Sequence, residues 1–237
     1  MASGSTRTTV IVGAIALAVI FVVWLGLMVA SQPPGDFDSR IMLALRRPGN
    51  PAMPRGPDWL FAAMRDITAL GDSPVLTLVT AIVAGFALIR RRIVEAGFVA
   101  ATVAIGAIVD TQMKLAFARP RPGLVPHLVD VTSASFPSGH AMNSAVACLT
   151  IGALIASHTA DRATRTYVAI IGVGLTLAIG ASRVYLGVHY PTDVIAGWVA
   201  GAAWATACWL VAARWLGHPA PGGALPLAVH PAKPRRP

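Results

Sequence analysis

Charge is what this sequence has least of. Only 12% of its 237 residues are Asp, Glu, Lys or Arg, against roughly 25% in a soluble domain. So little charge leaves a globular surface poorly hydrated. With 55% hydrophobic residues and a mean hydropathy of +0.66, a bilayer is the solvent to consider first. Acidic residues are scarcer still, 10 against 19 Lys and Arg, and they form no carboxylate cluster of the kind that holds a metal ion. Cysteine is nearly absent. Cys148 and Cys208 lie in apolar stretches, and neither Cys-x-x-Cys nor His-Glu-x-x-His occurs, so both read as small packing residues. No run of bases is interleaved with aromatics, which argues against a nucleic-acid partner. No internal repeat is visible.

What is present is a series of apolar runs long enough to cross about 30 Å of hydrocarbon. Six are found, over Thr8–Ala30, Ser73–Ile89, Ile93–Phe117, His140–Ser157, Thr166–Tyr185 and Thr192–Leu216. The second is the shortest and opens on Ser73-Pro74. The first is too long in its apolar core for a secretory h-region and lacks a clean small-x-small site before Gln32, so it reads as a retained anchor. The expected fold is therefore all-α: a polytopic membrane bundle of six transmembrane helices over residues 1–216. Residues 217–237, rich in Pro and Gly and without periodicity, are expected to be a disordered cytoplasmic tail.

Arginine sets the orientation. Arg7, Arg90 to Arg92, Arg162 and Arg165, then Arg214, Lys233, Arg235 and Arg236, fall at the same end of the spans. By the positive-inside rule that end, with both termini, is cytoplasmic, and the protein is integral to the plasma membrane. Arg40, Arg46, Arg47, Arg55, Arg119, Arg121 and Arg183 lie on the outer side and need another explanation. The outer loop 32–72 is too polar to cross. Phe37, Ile41 and Leu45 share one helical face and Trp59 to Met64 makes another, so two short interfacial helices are expected there, resting on the membrane or forming a lid. Gly197-x-x-x-Gly201 in the last span predicts close helix contact.

Hydropathy breaks at three outer places. In the first, Lys114 and Arg121 are seven residues apart, two helical turns. Pro120 and Pro122 end the helix near Ala118 and free Arg121 to turn inward, while Asp110, one turn before Lys114, can orient its ammonium. The plain alternative is two snorkelling cations. In the second, Phe136-Pro137-Ser138-Gly139-His140 leads into a span. Ser138 suits an N-cap, Gly139 allows close backbone approach, and the first-turn N–H groups favour an anion beside His140; the same residues also suit a simple cap. In the third, Ser182-Arg183 is followed by His189-Tyr190-Pro191-Thr192-Asp193. His189 and Asp193 are four apart, so the carboxylate can fix one ring nitrogen and leave the other nucleophilic, or it can merely cap the helix. Together the three supply cations, a helix start and two histidines on one side of the membrane, which suits phosphoryl transfer.

Lys114-x6-Arg121-Pro122, Pro137-Ser138-Gly139-His140 and Ser182-Arg183-x5-His189-x3-Asp193 resemble, in order and spacing, the three-part signature of the type-2 phosphatidic acid phosphatase superfamily. The six spans resemble its membrane branch. The resemblance implies that His189 attacks phosphorus, Asp193 orients it, and His140 protonates the leaving oxygen. Lys114, Arg121 and Arg183 then bind phosphoryl oxygens with help from Ser138 and the Gly139 N–H. The family spacing selects Arg121, which leaves Arg119 as a rim or headgroup-facing residue. The resemblance also implies a metal-independent phosphatase without cofactor. Its partner is a lipid phosphate substrate in a bed of membrane lipids. Undecaprenyl pyrophosphate is the favoured substrate, with phosphatidic acid and phosphatidylglycerol phosphate as alternatives. A transporter or channel lined by the buried charges is the competing class.

Overall fold

The computed structural model describes residues 2–30 and 32–216, with side chains described from residue 6 to 213. The expected tail 217–237, with Lys233, Arg235 and Arg236, lies outside the described residues. In chain order the elements are α1 (Ala2–Ala30), α2 (Asp36–Ala44), a small antiparallel hairpin of β1 (Arg46–Arg47) and β2 (Asn50–Pro54), α3 (Asp58–Ala69), α4 (Ser73–Ile89), α5 (Ile93–Phe117), α6 (Gly139–Ser157), α7 (Arg162–Tyr185) and α8 (Pro191–Leu216). By length and composition α1, α5, α6, α7 and α8 can each cross a membrane. The 17-residue α4 passes only together with α3, which meets it at a 53° bend. Thus the described residues hold five candidate spans, or six with the bent α3–α4 pair counted as one, and the helix expected around Trp59 is the α3 arm of that pair.

Helix ends follow local chemistry. Ala118 takes a left-handed conformation (φ 44°) after α5, and Pro120 and Pro122 prevent the helix from resuming. Pro191 supplies the first residue of α8, where its missing N–H costs nothing. On the opposite end Asp161 caps α7 by accepting from the Ala163 and Thr164 N–H groups.

At the centre stands α6, packed on α5, α7 and α8. Its contact with α8 is tight because Gly197 and Gly201 face it. A Cβ on Gly197 would fall 2.7 Å from the Ser138 carbonyl oxygen, and one on Gly201 would fall 2.5 Å from that of Met142. Backbone thus meets backbone as the Gly-x-x-x-Gly spacing predicts. Where tryptophans turn inward, their N–H groups bridge helices: Trp198 donates to the Thr176 carbonyl at 2.9 Å and Trp204 to that of Thr102 at 3.0 Å. The outward faces remain apolar, as with Leu17, Ile20 and Leu27 on α1 or Ile82 and Phe86 on α4. Those side chains suit acyl chains.

The segment 32–72, expected to rest on the membrane or form a lid, is tied into the bundle. On α2, Phe37 and Ile41 face outward while Met42 and Asp38 are buried. Arg46 donates to the Tyr185 carbonyl at 2.8 Å, satisfying the end of α7, and Tyr185 donates its hydroxyl to the Arg55 carbonyl at 3.0 Å. The hairpin that carries Arg46 has no periodicity by which the sequence would reveal it.

Candidate active site

The ends of α5 and α7, the start of α6, the turn before α8, the 129–133 segment and the α3–α4 elbow converge on one end of the bundle. They enclose a cavity of about 470 Å³ lined by Lys114, Arg121, Gly139, His140, Arg183 and His189, among others. Six of the eight residues expected from the sequence therefore share one space. Asp193 stands behind His189, and Ser138 lies below the wall; both are fully buried.

His189 sits in the turn between α7 and α8. Its Nε2 is 3.1 Å from Arg121 Nη1, which also donates to the Val188 carbonyl at 2.8 Å. A guanidinium can only donate, so Nε2 carries the lone pair and the ring proton resides on Nδ1. Nδ1 lies 3.5 Å from Asp193 Oδ2 and from Ser135 Oγ. Ser135 in turn donates to Asp193 at 2.5 Å, and the Tyr190 N–H donates to it at 2.9 Å. The imidazole is 1% exposed. Burial pushes its pKa down to about 3 against the pull of Asp193, and the positive charges of Arg121 and Arg183 add to the fall.

That shift fixes a sign for acid stability. Between about 6.5, the value for an unfolded histidine, and about 3, the unfolded chain binds a proton that the folded chain refuses. The contribution of His189 is intact above that window and is lost as pH falls through it. The unfolding midpoint in detergent should therefore drop on acidification from pH 8 to pH 4, with a shallower slope in His189→Gln. Equal slopes would contradict the assignment.

The other expected residues have firm local reasons for their places. Lys114 pairs with Asp110 one turn earlier at 2.5 Å and donates to the Pro137 carbonyl at 2.8 Å. Gly139 is required by that approach. A Cβ there would lie 2.8 Å from Asp110 Oδ2 and 2.9 Å from Lys114 Nζ. The glycine thus makes room for the lysine as well as for a ligand. Arg183 donates to Thr68 Oγ1 at 2.9 Å, and its buried Nε has no protein partner. Ser138 occupies the N-cap position of α6, yet its hydroxyl makes no capping bond and is likewise buried without a partner. The Ser138 N–H donates to the Asp193 carbonyl at 3.0 Å, tying the start of α6 to α8.

Several residues escaped the sequence reading. Asp72, just before α4, accepts from His140 Nε2 at 2.7 Å. Thr68 holds Arg183, and Ser135 holds Asp193. Arg119 is the main correction. Instead of facing headgroups it is 2% exposed, with its guanidinium 4.0 Å above the Tyr190 ring. It donates to Asp193 at 2.5 Å, to Thr192 Oγ1 at 2.9 Å and to Asp38 at 3.0 Å. Buried carboxylates attract it there: an unpaired one costs several kcal/mol. The repeated Arg-Pro was the available signal. Among the described residues no group of three or more His, Cys, Asp or Glu is placed to hold a metal ion.

A family model described as the PAP2 superfamily matches residues 95–216, the stretch that carries every residue expected from the sequence. The chain belongs to the PAP2 superfamily. Its membrane-spanning helices mark it as an integral membrane phosphatase of that family, acting on lipid phosphate. Phosphatidylglycerophosphatase B of Bacillus subtilis is 33% identical over 144 residues, which is 60% of this chain and 70% of that protein. The undecaprenyl-diphosphatase of Sulfolobus acidocaldarius is 39% identical over 70 residues, 30% of each chain. Among solved structures, a transmembrane PAP2-type phosphatidylglycerolphosphate phosphatase from Bacillus subtilis superposes with a TM-score of 0.74 and 27% identity. It covers 84% of this chain and 96% of its own. The all-α PAP2 membrane bundle expected from the sequence is the fold found.

Proposed function

We propose that this PAP2 enzyme hydrolyses a phosphate ester of a membrane lipid through a phosphohistidine on His189, with phosphatidylglycerol phosphate as the favoured substrate. The observation that carries the mechanism is the lone pair on His189 Nε2, aimed at the cavity where Lys114, Arg121 and Arg183 gather. Three cations there offset the charge of a phosphoryl group. On binding, Arg121 exchanges Nε2 for a phosphoryl oxygen and releases the nucleophile. Nε2 attacks phosphorus, the bond from phosphorus to the lipid oxygen breaks, and that oxygen takes a proton from His140. Water then attacks the phosphohistidine and gives a proton to His140. Inorganic phosphate leaves, and Nε2 regains its lone pair. Asp193 supports the positive ring between the two steps.

In this reading the cations neutralise the phosphate and no metal is needed. The cavity opens on the outer side, periplasmic or extracellular, and the termini are cytoplasmic, because Arg90 to Arg92, Arg162 and Arg165 mark the other end of the bundle as the inner face. The substrate preference moves away from undecaprenyl pyrophosphate. Phosphatidylglycerophosphatase B and the solved structure support phosphatidylglycerol phosphate with broad coverage, whereas the diphosphatase aligns over 30% of its length. A decaprenylphosphoryl-5-phosphoribose phosphatase of Mycobacterium tuberculosis, 32% identical over 151 residues and 75% of its own length, keeps a prenyl-linked phosphate as the alternative.

The test is phosphate release by purified protein in detergent from phosphatidylglycerol phosphate, phosphatidic acid and undecaprenyl pyrophosphate. Activity should persist in EDTA, fall with vanadate, and show its highest kcat/KM on phosphatidylglycerol phosphate. Strict metal dependence would refute the mechanism, and a preference for the diphosphate would refute the substrate.

A further inference from the structure

Asp38 belongs to the segment 32–72, 151 positions before His189 in the chain, yet it is buried and linked to the nucleophile through Arg119 and Asp193. It is 2% exposed. One carboxylate oxygen accepts from the Thr192 N–H at 2.9 Å. The other accepts from the Thr192 hydroxyl at 2.7 Å and from Arg119 Nη2 at 3.0 Å. The other arm of Arg119, Nη1, reaches Asp193. A continuous line therefore runs from α2 through Asp38, Arg119 and Asp193 to the His189 ring. Every member is at most 2% exposed, so water screens none of these charges.

The charge count gives the line a purpose. Arg119 and Asp193 alone would sum to zero, and so close a cation would cancel the field of Asp193 at His189. Asp38 engages the other side of the guanidinium. Two carboxylates and one guanidinium then leave a formal −1 beside a ring that becomes positive when Nε2 forms its bond to phosphorus.

We propose that Asp38 and Arg119 form a positioning pair: Arg119 holds the Asp193 carboxylate in place, and Asp38 offsets the arginine so that Asp193 still stabilises the phosphorylated histidine. The outer helix α2 is thereby part of the machinery of the first chemical step. Neither residue touches the cavity; both act through Asp193. This inference rests on the phosphohistidine reading, and the experiment separates the two.

Wild-type protein, Asp38→Asn and the double variant Asp38→Asn/Arg119→Gln are purified in detergent. The unfolding midpoint and the number of vanadate-binding sites count folded protein. Rapid quenching then follows acid-labile phosphate incorporation per vanadate-binding site. A misplaced reacting group costs on the order of 10²-fold, so Asp38→Asn should label more slowly by tenfold or more, with vanadate affinity and KM close to wild type. A purely structural role would lower the number of sites and leave the rate per site intact. The double variant, in which Asp193 is again the one charge of the set, should label faster than Asp38→Asn. If Asp38→Asn yields no folded protein, Thr192→Val removes the hydroxyl that bridges Asp38 and Arg119 and should slow labelling in the same way. An unchanged rate per site in Asp38→Asn or its substitute, or a double variant no faster than the single one, would overturn the inference. Absence of labelling in the wild type would instead overturn the phosphohistidine reading.

Discussion

His189→Ala should lower kcat by roughly four orders of magnitude or more, the scale seen when a nucleophile is removed from a concerted site, and should eliminate acid-labile phosphate on the protein. The expectation follows from geometry. His189 Nε2 lies 3.1 Å from Arg121 Nη1 beside the cavity that Lys114 and Arg183 also line, while the other histidine there, His140, is held through Nε2 by Asp72. Binding should survive, since the three cations remain and Arg121 no longer has an imidazole to hold. Vanadate affinity near the wild-type value, together with lost turnover, is the signature to measure. Residual labelling of His189→Ala would place the nucleophile elsewhere.

His140→Ala should have the second largest effect, with a character of its own. General acid–base groups contribute about 10²–10⁴-fold, and the loss should fall mainly on the lipid substrate, whose alkoxide leaves poorly without a proton. With a nitrophenyl phosphate the departing oxygen needs no proton, so labelling should proceed while hydrolysis of the phosphohistidine stalls. The intermediate should then accumulate above its wild-type level. Asp72→Asn ought to show a weaker form of the same pattern, about a tenfold loss in kcat, because Asp72 only holds the ring. Wild-type turnover in His140→Ala would remove its role in both steps.

The parts of this molecule legible in sequence were those governed by short-range rules. Hydropathy located the long apolar helices, the prolines located the end of α5 and the start of α8, and fixed spacings brought Lys114, His140, Arg183 and His189 to one end. What stayed hidden depends on contacts distant in sequence. Asp38 carries no sequence signal of its own, since its neighbours Phe37 and Ile41 define an apolar stripe and nothing nearby marks a partner for it. Its burial arises from Arg119 and Thr192, separated from it by 81 and 154 positions. Asp72 was disguised by the helix it precedes, and Arg119 by the better-spaced Arg121 beside it. Ser138 was read as a cap from its type and position, but its hydroxyl serves no cap. The 53° bend between α3 and α4 lies before the 17-residue apolar run of α4, where composition separates two segments but carries no angle between them.

The placement of Asp38 also bears on how the protein is made. In the proposed topology, the segment with Asp38 is delivered to the outer side soon after the first span during insertion into the bilayer. Of the residues that enclose it, Arg119 follows the third span and Thr192 arrives only with the sixth. Until then its carboxylate stays hydrated, and it can be buried only when Arg119 and Thr192 have both reached the same face. Docking of α2 is therefore a late event in biogenesis. A nascent chain stalled before α8 would hold most of its spans in the membrane and still lack a closed active site, which would keep incompletely inserted copies inert toward the lipids around them.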